Sequence, residues 1–365
     1  MDKIMNQVDK IVPELINGIK RIVRIPSVQD TATEDAPYGE NARKALVETL
    51  NLCEELGFET VNIDNHIGYA SFGPKNKDGY IAAIGHLDVV PVGEGWKHDP
   101  FSAYEEDSVI YSRGILDNKG PILSCLYALF ALKQLGYKPN REIRIIFGCN
   151  EETGFHDLKY YLSKKQPPLA GFTPDCKFPV VYAERGRLVV NVKYANTPAL
   201  HQFLNTYILN SDNSGVKLEI DYKNDEFGKL ETRNYKIIDD KTFQFAISYP
   251  YGITSNELVE KLKNKGFEVD VVGNYDPVYF NRNAPMISIM QESYEAVTGL
   301  DGTPVTTTGG TYAKLMPHIV PFGPSFPGQK GIGHNPNEWM KIDDLIMITK
   351  IYALTLYRLG LEEHL

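Results

Sequence analysis

The chain has 365 residues, 42% of them hydrophobic and 23% charged, with a formal net charge of −9. That length suits two domains or one large domain with an insertion, and the composition supports a sizeable buried core. The acidic balance, without a basic block, argues against a nucleic-acid partner, and neither a signal-peptide core nor an apolar run of membrane-spanning length is present. A cytoplasmic location is the expectation, and the four cysteines, Cys53, Cys125, Cys149 and Cys176, lack CxxC spacing and read as reduced thiols.

Residues 4 to 23 alternate charges with apolar positions at helical spacing, and Ile25-Pro26-Ser27 ends that helix. A second helix is expected over 40–55, stopped by Gly57. Short apolar runs at 80–85 and 143–147, flanked by turn residues, read as strands. Between them Ile122, Leu123, Leu126, Leu129 and Phe130 share one face of a helix over 119–135, which Gly136 caps. The order strand, helix, strand predicts parallel pairing in an α/β domain.

The pattern changes near Arg185. LVVNVKY, an amphipathic stretch from Pro198, VKLEIDY and TFQFAISYP predict strand, helix, strand, strand. A capping box at Thr254-Ser255-Asn256-Glu257 opens another helix, followed by the strand FEVDVVG. The expected organisation is an α/β catalytic domain over 1–184 and 286–365, with a smaller α+β lid domain inserted at 185–285. Helices near 286–297 and 342–359, with the segment 305–322 between them, complete the first domain.

Several polar residues stand where chemistry is commonly placed. In IAAIGHLDVV an apolar strand runs into His86-Leu87-Asp88, and residues two apart on an extended segment share a side. His86 is a candidate metal ligand and Asp88 a candidate to orient its imidazole; a hydrogen-bonded histidine at a strand end is the plainer alternative. Asp117 precedes the 119–135 helix and reads as a ligand or as a helix cap. Glu151-Glu152 ends another strand, where adjacent carboxylates repel unless something compensates them. Asp175 before an apolar run and His334 in a glycine- and proline-rich loop are weak candidates taken singly. Together, two histidines and three carboxylates make a mixed nitrogen and oxygen donor set suited to zinc. A bridging carboxylate would hold two ions about 3.5–4 Å apart.

The segments GHLDVVPVGEGWKHDPF, YSRGILDNKGP, GCNEETG, PDCKFPVVYAERG, TTGGTYAKLMP, FGPSFPGQ and HNPNEW, in that order, resemble the M20 family of metallopeptidases, most of all its bacterial dipeptidase V branch. The resemblance implies a zinc-exopeptidase-like catalytic domain and a dinuclear zinc hydrolase of dipeptides or related amide bonds, with manganese or cobalt as alternatives. His86, Asp117, Glu152, Asp175 and His334 would be the ligands, Asp117 bridging across a cis Asp117–Asn118 peptide. Asp88 would support His86, and Glu151 would be the general base acting on metal-bound hydroxide. Gly309, Gly310 and Thr311 match the loop that receives the substrate carboxylate, and Asn196 matches a family asparagine of the lid.

The chain departs from the family in three places. Asn118 stands where a second aspartate is frequent. The lid is short, without the loop whose histidine stabilises the oxyanion; His201 falls inside a predicted helix. Ser248 stands where the lid strand usually carries an arginine that grips substrate, with Arg282 as a candidate replacement. N-acyl-amino-acid deacylation and a catalytically weak metal-binding homologue are therefore the alternatives. Monomer and homodimer stay open.

Overall fold

The computed structural model describes residues 1–75, 79–209 and 211–364. They form two compact units, one made of Met1–Val181, Arg282–Pro304 and Thr311–Leu365, the other of Tyr182–Asn281 and Val305–Gly310. The segment Val305–Gly310, expected in the α/β domain, thus groups with the inserted unit. Its strand Val305–Thr307 pairs with Val181–Glu184, and the Arg185 N–H donates to the Thr307 carbonyl at 3.1 Å.

The first unit is built on a six-stranded mixed sheet. Its strands in chain order are β1 (Glu59–Ile63), β2 (Ile67–Phe72), β3 (Tyr80–His86), β4 (Glu142–Gly148) and β5 (Ala170–Thr173), followed by Ile319–Pro321. Across the sheet the order is β1, β2, β4, β3, β5 and Ile319–Pro321. β3 runs parallel to both β4 and β5, while β1 and β2 are antiparallel. Every residue of β3 is buried, which explains its unbroken apolar sequence; a strand covered on both faces has no polar side to show.

The predicted helix over 119–135 is Lys119–Gln134, buried along nearly its whole length and packed against β3 and the C-terminal helix Ile342–Leu361. The single N-terminal helix expected over 4–23 is instead two, Asp2–Lys10 and Val12–Val23. The break at Ile11 lies next to Pro13, which lacks the N–H an uninterrupted helix would need.

The second unit has an antiparallel sheet of β6 (Gly186–Lys193), β7 (Glu231–Ile237), β8 (Thr242–Tyr249) and β9 (Glu268–Tyr275), in the order β7, β8, β6, β9. The capping box at Thr254 and Glu257 forms as predicted and opens the helix Ser255–Asn264. VKLEIDY is not a strand. Val216–Leu218 is a 3-10 turn between two left-handed residues, Gly215 and Glu219, and Leu218 and Ile220 are drawn into the apolar core. The strand is β7, whose polar sequence ETRNYKI hides it because Thr232 alone is buried and the register shifts between Arg233 and Lys236. All four cysteines are free thiols.

Candidate metal centre

Because β3, β4 and β5 are parallel, their carboxyl ends open onto one edge of the sheet, the usual place for a ligand in such a fold. His86 is the last residue of β3. Glu151 and Glu152 follow β4 in a turn, and Asp175 follows β5 by two residues. Asp117 arrives from the loop before the Lys119–Gln134 helix, through a cis Asp117–Asn118 peptide. It does not cap that helix; Asn118 occupies the cap position. His334 comes from the C-terminal loop in a left-handed conformation and is half exposed.

These residues converge. His86 Nε2 lies 3.1 Å from Asp117 Oδ1 and 3.6 Å from Asp175 Oδ2. His334 Nε2 lies 2.9 Å from Asp117 Oδ2 and 2.9 Å from Glu152 Oε1. Asp117 therefore turns one carboxylate oxygen to each imidazole. Among the described residues, the triads His86, Asp117, Glu152 and His86, Glu151, Asp175 each bring their donor atoms within 4.8 Å of one another.

A shell of hydrogen bonds orients these donors. His86 Nδ1 is 2.9 Å from the Asp88 carbonyl, which turns Nε2 toward the carboxylates. The Asp88 carboxylate accepts from the Glu151 and Glu152 N–H groups at 3.2 and 3.1 Å, fixing the turn that carries both glutamates. Asn118, with an amide in place of the family's frequent aspartate, uses both ends of its side chain. Its oxygen accepts from the His86 N–H at 3.2 Å, and its nitrogen donates to the Pro174 carbonyl at 2.6 Å.

Sequence reasoning passed over other members of this shell. Glu338 Oε1 accepts from the Leu116 and Asp117 N–H groups at 2.9 and 3.1 Å, while Arg113 Nη1 donates to its Oε2 at 2.7 Å. Asp157 accepts from the Cys149 and Asn150 N–H groups at 2.7 and 2.9 Å and from the Tyr312 hydroxyl. Lys119 is buried and donates to the Ile25 carbonyl at 2.6 Å. Glu338 stood in the quoted HNPNEW motif, four residues after a candidate ligand. Lys119 stood in YSRGILDNKGP, two residues after Asp117, whereas Asp157 had no signal beyond its charge. Two glycines make room for this shell. A Cβ on Gly85 would meet Asn118 Oδ1 at 2.2 Å, and one on Gly148 would meet the Tyr312 hydroxyl at 1.9 Å.

The electrostatics record an excess of buried negative charge. Burial, then Asp175, pushes the Glu151 carboxyl well up, and burial with Asp117 pushes Asp175 up to about 7. Burial also opposes ionisation of Asp117, yet hydrogen bonds from His334 and His86 hold it below the ordinary carboxylate range. His334 is held up at about 10 by Asp117 and Glu152. In this donor set the imidazolium protons occupy the place a cation would take, so the residues fit a divalent metal.

The remaining predicted residues lie elsewhere. Thr311, in the first unit, is buried, and its hydroxyl accepts from the Ala313 N–H at 3.2 Å. Gly309 and Gly310 are exposed in the second unit. Asn196 caps the Thr197–Phe203 helix, its side-chain oxygen accepting from the Ala199 N–H at 3.0 Å. His201 is exposed within that helix, and Arg282 is exposed in the first unit.

The family model described as peptidase family M20/M25/M40 matches residues 82–358. The chain belongs to this family. It is accordingly a hydrolase of the peptidase type, from a family whose members depend on metal ions. It is 26% identical to the Beta-Ala-Xaa dipeptidase of Lactobacillus delbrueckii subsp. lactis over 457 aligned residues, covering 96% of this chain and 97% of that protein. That alignment is longer than the chain itself, so the relative carries segments absent here. Among solved structures, human carnosine dipeptidase 1 superposes with a TM-score of 0.75 at 17% identity, covering 98% of each chain. The M20 family metallo-carboxypeptidase Sso-CP2 from Sulfolobus solfataricus gives 0.71 at 19% identity, covering 95% of this chain and 99% of its own. No helix among the described residues is long and apolar enough to cross a membrane.

Proposed function

We propose that this M20 protein hydrolyses dipeptides or closely related amide bonds with two zinc ions, held by His86, Asp175, Glu152 and His334 and bridged by Asp117. The observation that carries this reading is the division of the Asp117 carboxylate. Its Oδ1 faces His86 and its Oδ2 faces His334, each imidazole with a further carboxylate beside it. Bound divalent ions would polarise the scissile carbonyl and make a coordinated water more acidic.

The chain's own groups then handle the proton. Glu151 brings a carboxylate oxygen within 4.8 Å of the His86 and Asp175 donor atoms, close enough to reach a water held there, and its raised proton affinity suits a general base. It takes the proton from the attacking water and returns it to the leaving amine. Asp88 holds the His86 carbonyl-facing nitrogen and the Glu151–Glu152 turn in place. Gly309, Gly310 and Thr311 are assigned to the substrate carboxylate, and Asn196 to a supporting contact. N-acyl-amino-acid deacylation uses the same metals and base. A weakly catalytic homologue is favoured by the short lid, which lacks the histidine loop after LVVNVKYA and carries serine at position 248.

The test joins composition to activity. Protein reconstituted with zinc should hold two ions per chain by elemental analysis and should hydrolyse members of a panel of dipeptides and N-acyl-amino acids. Background metal after reconstitution would remove the site assignment. Two bound ions with no turnover across the panel would move the protein to the weakly catalytic class.

A further inference from the structure

The two imidazoles of the metal centre are supported in different ways. His86 ends β3 and is fully buried, and the Asp88 carbonyl and the Asn118 side chain orient it. His334 is 53% exposed in an irregular loop, where it and Asn337 take left-handed φ values of 62° and 59°. Such values are uncommon outside glycine, so the shape of this loop depends on what braces it. The Asn335 side chain is a local brace, donating to the Gly331 and Gly333 carbonyls at 3.0 and 3.2 Å.

A second loop, residues 91–97, fastens it from outside. The Lys97 N–H donates to Asn337 Oδ1 at 2.8 Å, and Asn337 Nδ2 donates to the Gly95 carbonyl at 3.1 Å. One asparagine side chain thus joins the two loops by both its ends. Beneath them lies Arg113, buried, with its guanidinium 5.3 Å from the centre of the Trp96 ring. Its Nη1 donates to the Asn335 carbonyl at 3.3 Å as well as to Glu338, and its Nη2 to the Pro91 and Val92 carbonyls at 3.4 and 3.2 Å. Trp96 Nε1 donates to the Val92 carbonyl at 2.8 Å and closes the 91–97 loop on itself. Through Glu338 the same arginine supports Asp117, which faces both histidines, so Arg113 serves the whole centre. Asn337 serves the His334 loop.

We propose that Asn337, backed by Trp96, is a positioning residue that sets the affinity of one metal place, the one formed by His334 and Glu152, separately from that of His86 and Asp175. The proposal rests on the two-ion reading. An exposed ligand on an unbraced loop would have to be ordered each time it took an ion, and that cost would come out of the binding. A loop already clasped to its neighbour has lost this freedom beforehand. His86 needs no such device, because β3 and its hydrogen-bonded neighbours fix it. The two places are therefore unequal by construction: the His334 place fills last and empties first, and the 91–97 loop determines by how much.

Zinc titration of the metal-stripped full chain, in competition with a fluorescent chelator, tests this. Two steps are expected, and His334→Ala identifies the step that belongs to the His334 place by losing it. Asn337→Gly accepts the left-handed backbone and removes both crossing bonds. It should weaken that step about tenfold or more, in the range usual for groups that orient a ligand, and leave the other within about twofold. Asn337→Asp, which still accepts from the Lys97 N–H, should recover part of the loss. Trp96→Leu should weaken the His334 step severalfold and more than the other step. The Asn337 variants lie in a surface loop, and their metal-free melting temperature should stay at the wild-type value. Equal weakening of both steps in Asn337→Gly, or no weakening of either, would overturn the proposal. A wild type with a single step, lost in His334→Ala, weakened in Asn337→Gly and partly restored in Asn337→Asp, would keep the clasp and remove the two-ion reading. Two steps untouched by Asn337→Gly would do the reverse.

Discussion

At the strand ends of the first unit, five carboxylates from Asp88, Asp117, Glu151, Glu152 and Asp175 crowd around His86 and His334, whereas one face of the second unit's sheet gathers Arg185, Arg187 and Arg233 around Glu231. Each arrangement is electrostatically incomplete, in opposite senses. A fold that only had to be stable would pair or expose these groups. The acid surplus is largely buried and held by backbone hydrogen bonds, so it asks for a cation, whereas Arg187 is exposed and water can answer its charge.

The largest expected effect comes from the acid-rich side. Stripping divalent ions with a chelator should abolish hydrolysis, and zinc should restore it, because the carboxylates alone have no means to polarise a carbonyl. The same treatment should lower the melting temperature, since the buried carboxylates then repel without compensation. Hydrolysis that survives full chelation, confirmed by elemental analysis, would separate the acid cluster from catalysis altogether.

Next in size is Glu151→Gln. It keeps the side chain's shape and removes its basicity, so turnover should fall by about two orders of magnitude or more with metal content unchanged. Steady-state kinetics with parallel metal analysis would show it, and a matching loss of metal would reassign Glu151 as a ligand. Smaller again is Glu338→Gln, which weakens the carboxylate that receives the Leu116 and Asp117 N–H groups and leaves Arg113 without its charge partner. Metal affinity should drop about 10- to 100-fold, as is usual for groups that orient a ligand. A competition titration against a fluorescent chelator gives the number.

The smallest effect concerns the basic face. Family resemblance suggests that Ser248→Arg would restore a missing grip, but the structure argues otherwise. The position is fully buried and lies directly across from Arg187, so a fourth guanidinium would meet both overpacking and like charge. A loss of about 1–3 kcal/mol in stability, read from denaturant melts, is expected. A stabilised variant that binds substrate more tightly would show that an arginine at this position does grip substrate.

Much of the first unit was legible because its elements are long, apolar and strongly periodic. β3 and β4 announce themselves by unbroken hydrophobic runs, and the motif residues sit where those runs stop. The N-terminal helix was read as one because charge periodicity continues through Ile11, while the break depends on a single missing N–H at Pro13. The second unit was harder. VKLEIDY alternates like a strand, but Gly215 and Glu219 take left-handed conformations that turn it, and Leu218 and Ile220 reach the core from a turn. β7 gives no strand signal in the sequence because its side chains, Thr232 apart, are largely exposed and mostly polar or charged. Two of those polar residues, Glu231 and Arg233, belong to the basic face, and their grouping could not be read before the register was known. Glu338 and Asp157 escape notice for a related reason: each takes two backbone N–H groups, which leave no mark in the sequence, and a side-chain donor that is distant along the chain, Arg113 or Tyr312.

Gly85 and Gly148 touch no substrate, donate to no ligand and carry no charge, yet a methyl on either would wedge into the hydrogen bonds behind the donor set. At Gly85 the wedge would displace Asn118, and through it the start of His86 and the Pro174 carbonyl; at Gly148 it would push Tyr312 off Asp157. In a saturation screen scored by activity, these two positions should therefore look as intolerant as the ligands themselves. In a parallel screen for metal retention they should differ, failing through misplacement of donors that are all still present. Intolerance of substitution would then mark the space a site requires as well as the atoms that fill it.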